Sequence, residues 1–103
     1  MDDVELIKNI RLIERLKCGL LQWLADLFFA LHDKPEQMII DALSSLVLYC
    51  YLLGNRVGIS FNRLDRAIRE KVKTYLQTEE LQEHGIPAAE LVDFLRYRES
   101  LRS

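Results

Sequence analysis

Two stretches of this sequence, LLQWLADLFFAL (residues 20–31) and MIIDALSSLVLYCYLL (38–53), are apolar around most of a helical wheel, and only HDKPEQ separates them. A helix with one apolar stripe can rest on a single neighbour, whereas one that is apolar on most sides needs several. Helices joined by so short a polar turn pack antiparallel, and the resulting hairpin still presents apolar surface outward. The feature therefore predicts an all-α helical bundle built on an antiparallel central helix hairpin. A second copy of the chain is expected to cover the outer faces, completing an intersubunit four-helix core by oligomerisation as a dimer or tetramer.

The flanking sequence fits helices as well. Val4, Leu6, Ile7, Ile10, Leu12, Ile13 and Leu16 recur at helical spacing against Lys8, Arg11, Glu14 and Arg15, which makes an amphipathic first helix. Gly19 is read as a bend or break before the second, more apolar stretch. In the turn, Asp33 is placed to cap the next helix, Pro35 is tolerated in its first turn, and Glu36 completes a capping-box pattern. Gly54 and Gly58 are candidate points of close approach or termination. Ser60 is placed to cap a third helix, where Phe61, Leu64, Ile68, Val72 and Tyr75 or Leu76 form a stripe opposite a basic side. Past Gly85, Pro87 opens a shorter terminal helix carrying Leu91, Phe94, Leu95 and Leu101. No strand pattern, internal repeat or low-complexity segment competes. The 103 residues read as a single domain, with a core of about 5–75 and a C-terminal helical extension of about 86–101.

Composition narrows the function classes. A formal net charge of -2 supplies no sequence-wide attraction for nucleic acid or an anionic membrane, so neither is expected as a partner. The apolar run from Leu43 to Leu53 is short for a bilayer and follows Asp41, and reads as a core helix. The opening MDDVELIKN lacks the basic start and apolar centre of a secretory signal, and a cytoplasmic location is expected. Cys18 and Cys50 are then expected to be buried, reduced and inert, since no further cysteine completes a zinc pattern.

If the turn is centred near Asp33 and Lys34, residues equidistant from it lie side by side. Trp23 then faces Ser44 and Ser45, a large-to-small match, and Asp26 falls near Asp41 and Ala42.

The order of a polar first helix, GLLQWLADLFFAL, a short turn and DALSSLVLYCYLLGNRVGISFNRLDRAI resembles the MazG-like family of all-α nucleoside triphosphate pyrophosphohydrolases. The resemblance covers roughly residues 5–75, and LLGNRVGIS is its most specific part. Catalytic members carry glutamate-glutamate-x-x-glutamate on one helix and glutamate-x-x-aspartate on the next. Acids so spaced share a helix face, and facing pairs can hold Mg²⁺ with hard oxygen ligands against a triphosphate. Mapped onto this sequence, the resemblance puts Gln22 and Trp23 at the paired glutamates and Asp26 at the third. Anchored on the Gly-Ile ending, it puts Ala42 and Ser45 at the second motif. Of these five motif positions only Asp26 keeps an acid, the others being Gln, Trp, Ala and Ser. The expectation is a degenerate motif with no catalytic residue, no resident metal or other cofactor, and a ligand-binding or protein-interaction role with a nucleotide as a possible ligand. The alternative is an active Mg²⁺-dependent pyrophosphohydrolase with an atypical site built on Asp26 and Asp41. Against that pair stands the reading in which Asp41 faces solvent and Asp26 is hydrogen-bonded to Ser44 or Ser45. A third reading is a purely structural oligomerisation module.

Arg63, Arg66, Arg69 and Lys73, with Lys71, concentrate positive charge on the third helix and are candidate contacts for a phosphate or an acidic partner. Asp65 and Glu70 are interspersed, and the competing reading is a solvated helix face, which applies equally to Arg96, Arg98 and Arg102. His32 is placed to interact with exposed carbonyls at a helix end. No acid-base or nucleophile constellation surrounds it or His84. Trp23, Phe28, Phe29, Tyr49 and Tyr51 are read as core or dimer packing.

Overall fold

The computed structural model describes residues 2–32, 34–75 and 88–102. Among them are four helices and no strand, as an all-α bundle requires. The chain divides into two compact units, Met1–Phe61 and Asn62–Ser103.

The first unit is the hairpin. Helix α1 (Asp3–Ala30) is capped by Asp2, whose Oδ1 accepts the Glu5 N–H at 2.8 Å, and Asp3 and Glu5 place negative charge in its first turn. It runs unbroken through Gly19, contrary to the bend expected there. The reason is tertiary: a Cβ on Gly19 would clash with Cε2 at the ring edge of Tyr49 on the facing helix, 2.8 Å from Cδ2 and 3.2 Å from Cζ. Glycine allows the two backbones to approach, with the aromatic ring lying over the gap.

After Leu31, the Lys34 N–H donates to the Ala30 carbonyl at 3.2 Å, and helix α2 spans Glu36–Arg56. Its N-cap is Pro35, without a side-chain cap bond, so the helix begins two positions later than the Asp33 capping box implied. Proline has no N–H and a fixed φ suited to a helix entry. Asp33 itself lies outside the described residues. The C-terminus is a full Schellman motif: Gly58 takes φ +96°, its N–H donates to the Asn55 carbonyl at 3.1 Å, and the Ile59 N–H donates to the Gly54 carbonyl at 2.8 Å. Gly58 is therefore the terminating glycine. Beyond it, the Phe61 and Tyr51 rings meet with centroids 6.3 Å apart in a tilted arrangement.

The two helices pack against each other. Yet among the described residues only Leu16, Ala30 and Ala42 are buried apolar residues, while Leu21 (70% exposed), Phe28 (66%) and Phe29 (73%) stand open, as do Leu43, Val47 and Leu48. One hairpin cannot cover its own apolar surface. Cys18 and Cys50, expected to be buried, are exposed, because apolar neighbours along the chain do not decide which face of a helix a residue takes. By length and composition alone, α2 as a whole is also long and apolar enough to cross a bilayer, which the shorter Leu43–Leu53 run did not suggest.

The second unit carries α3 (Phe61–Tyr75, all but its first residue) and α4 (Ala88–Arg102). The α3 stripe turns Leu64, Ile68 and Val72 inward to half-burial, with Phe61 and Tyr75 exposed. Its most buried residue is a charge. Asp65 is 2% exposed and accepts from Arg98 Nη2 of α4 at 2.9 Å, with Arg69 Nε at 3.8 Å. Asp65, Arg69 and Arg98 were read as part of a solvated surface; they form instead a partly buried ion-pair network. On α4, Leu91 and Leu95 are half-buried and Phe94 is exposed, with the Arg98 guanidinium 5.9 Å from its ring centroid. Leu76, His84, Gly85 and Pro87 fall outside the described residues.

Candidate functional site

The predicted hairpin register places Asp26 beside Asp41 and Ala42, and these three residues line one cleft of about 370 Å³ at the turn end of the hairpin. Gly19 against Tyr49 keeps the same register, since seven residues separate Asp26 from Gly19 and seven separate Ala42 from Tyr49. Trp23, Phe29 and Met38 contribute the cleft's larger apolar walls, and Lys34 its one cation. The buried methyls of Ala30 and Ala42 complete the lining, with Ala42 only 1% exposed.

Each carboxylate is held by a glutamine one turn earlier on its own helix. Gln22 Nε2 donates to Asp26 Oδ1, and Gln37 Nε2 to Asp41 Oδ1, both at 3.0 Å. The amides occupy acceptor positions that would otherwise face solvent or a cation. The expected bond from Ser44 or Ser45 to Asp26 is thus replaced by one from Gln22. Ser44 turns its hydroxyl back on its own helix, where Oγ donates to the Ile40 carbonyl at 2.7 Å. Asp41 is exposed, as the solvent-facing reading had it; Asp26 is half-buried. The matching Gln-x-x-x-Asp spacing was present in the sequence on both helices. The family resemblance accounts for Gln22 only as a vacated motif position and says nothing of this pairing.

The residues here do not fit a magnesium ion. The positions that the resemblance assigns to the two motifs hold the Gln22 amide, the Trp23 indole, the Ala42 methyl and the half-buried Ser45 hydroxyl alongside Asp26, and Asp41 adds one carboxylate. A divalent cation bound against a triphosphate needs several hard oxygen ligands converging on one point. Among the described residues, no group of three or more histidine, cysteine, aspartate or glutamate side chains could hold a metal. Lys34 further offsets the negative charge of the cleft.

Of the basic candidates on α3, Arg66, Arg69 and Lys73 line a separate cleft in the second unit, joined there by Arg96 of α4. Arg63 is exposed and lies outside that cleft. The charge is therefore organised more locally than a run along one helix face.

The model of the MazG-like family matches residues 6–85. Neither the curated proteins nor the solved structures include a match to this chain. The family model spans most of the sequence and includes the hairpin, the turn and α3, and on that match the chain belongs to the MazG-like family.

Proposed function

We propose that this protein keeps the scaffold of a nucleotide pyrophosphohydrolase without its metal chemistry, and serves as a homo-oligomeric binding or interaction module in the cytoplasm. The observation that carries this reading is Ala42. A buried methyl stands where the family pattern calls for a glutamate, in the same cleft as Trp23, which occupies another ligand position. What remains suits a ligand held by aromatic contact and hydrogen bonds, a nucleotide base among them. The test is incubation of the purified protein with a nucleotide panel and Mg²⁺ or Mn²⁺, followed by measurement of pyrophosphate. Release no faster than the protein-free control is expected. Metal-dependent turnover abolished by Asp26→Ala would establish the opposite.

That opposite reading, an active enzyme with an atypical site, draws support from the cleft shared by Asp26 and Asp41. It requires acids from another subunit. The structural-module reading is separated by thermal shift, because a nucleotide that raises the melting temperature binds the folded state.

The exposed Leu21, Phe28, Phe29, Val47 and Leu48, which a second hairpin would cover, support the oligomeric reading. A bilayer is the weaker cover for α2. In the hairpin register, Lys17, Arg15 and Glu14 of α1 fall alongside the Cys50–Leu53 turn of α2, so a hydrophobic layer spanned by the whole of α2 would take in all three charges. Charges at that depth are costly. Light scattering on detergent-free protein is expected to give a dimer or tetramer, whereas a requirement for detergent would favour the membrane.

A further inference from the structure

The cleft of the second unit has a composition that the hairpin reading does not use. It encloses about 410 Å³ between α3 and α4, and its walls carry Arg66, Arg69, Lys73 and Arg96. Its apolar surface comes from Val72, Val92 and Leu95, all half-buried. A volume of this order accommodates a small organic molecule. The wall is neither a plain solvated face nor a plain apolar groove, because cations and hydrocarbon from two helices meet in one concavity.

The cations differ in how they are engaged. Arg69 is drawn toward the buried carboxylate of Asp65, with Nε 3.8 Å from Oδ2. Lys73 pairs with Glu70 at 3.4 Å in an exposed contact, which solvent screens. Arg66 and Arg96 make no hydrogen bond or ion pair among the described residues, and each presents a planar donor fork suited to an oxyanion. Four cations set against Glu70 leave three positive charges in excess along the cleft wall, and the Asp65–Arg98 pair at 2.9 Å does not change that balance. A dianionic head group would neutralise more of that excess than a singly charged one.

On these grounds we propose that the α3–α4 cleft binds a phosphomonoester carrying an apolar body. The dianionic phosphate sits between Arg66 and Arg96, and the hydrocarbon or aromatic portion lies against Val72, Val92 and Leu95. Arg69, fixed by Asp65, and Lys73 add to the positive field. The site lies in a different unit from the hairpin cleft and does not depend on that cleft's occupancy.

The probe is 2-naphthyl phosphate, titrated into the full chain and followed both by calorimetry and by amide shifts in two-dimensional NMR. Expected are saturable binding, shifts concentrated in residues 62–75 and 88–98, and binding about tenfold or more weaker for 2-naphthol and for inorganic phosphate, each of which lacks half of the ligand. Arg66→Gln with Arg96→Gln removes two exposed side chains and should leave the circular dichroism spectrum unchanged while weakening the probe about tenfold or more. Asp26→Asn, in the hairpin cleft, should leave probe binding as in the parent protein. Phosphatidylcholine vesicles carrying phosphatidic acid present the same head group on a surface. Binding to them without binding to the soluble probe would overturn the proposal. So would shifts confined to the hairpin, equal affinity for naphthol, or no saturation by the soluble probe.

Discussion

Replacing Gly19 with alanine sets two known effects against each other. In an open helix interior the change stabilises by about 1 kcal/mol, because alanine has the higher helix propensity. Here the added Cβ would sit 2.8 Å from Tyr49 Cδ2 and 3.2 Å from Cζ, whereas relaxed carbon contacts lie at about 3.5–4.0 Å. Either the ring or the helix spacing must yield, and overpacking of this kind costs about 1–3 kcal/mol. The net expectation for Gly19→Ala is a loss of about 0–2 kcal/mol, and a sharper quantity comes from a double-mutant cycle. With Tyr49→Ala in place the obstacle is gone, and Gly19→Ala should turn stabilising by about 1 kcal/mol. The two residues should therefore couple by about 1–3 kcal/mol. Urea unfolding followed by far-ultraviolet circular dichroism, at one fixed protein concentration because of the expected assembly, measures all four proteins. If Gly19→Ala stabilises equally in both backgrounds, the helices do not approach at this point and the register that joins Asp26 to Asp41 loses its support.

Gly58→Ala places a side chain at φ +96° and should cost about 1 kcal/mol by the same unfolding assay, with an unchanged value counting against the Schellman ending. Asp65→Asn removes the charge that Arg98 and Arg69 share. With those arginines partly solvated, a loss of about 1–3 kcal/mol is expected, together with faster amide exchange in α4 than in α1; uniform exchange would refute that role. Phe28→Glu with Phe29→Glu should shift the assembly toward monomer in sedimentation velocity if these rings lie beneath a second copy, and an unchanged mass would place the interface elsewhere.

The hairpin was legible in the sequence because its information is local. Two helix-period apolar runs and a six-residue polar link fix both the packing partner and the register, which is why Asp26, Asp41 and Ala42 could be placed together before any coordinates. What was misread depends on partners distant in sequence. Gly19 resembles a helix break until Tyr49 is seen over it, and Asp65 resembles a surface charge until Arg98, 33 residues on, reaches it. The thiols illustrate a different limit: Cys18 and Cys50 lie in apolar sequence but are exposed, because apolar neighbours along the chain do not decide which face of a helix a residue takes. The vacated motif positions were read through the family resemblance, while the glutamines that hold the remaining carboxylates were visible in their own spacing and passed over.

The central claim, that the hairpin cleft has too few oxygen ligands for a divalent cation, is tested most directly by titrating the protein with Mn²⁺ and following free ion by electron paramagnetic resonance. The account expects the signal to track protein-free buffer, with no saturable site, and Asp26→Ala to change nothing. A stoichiometric site that is saturable in the parent protein and lost in Asp26→Ala would contradict it.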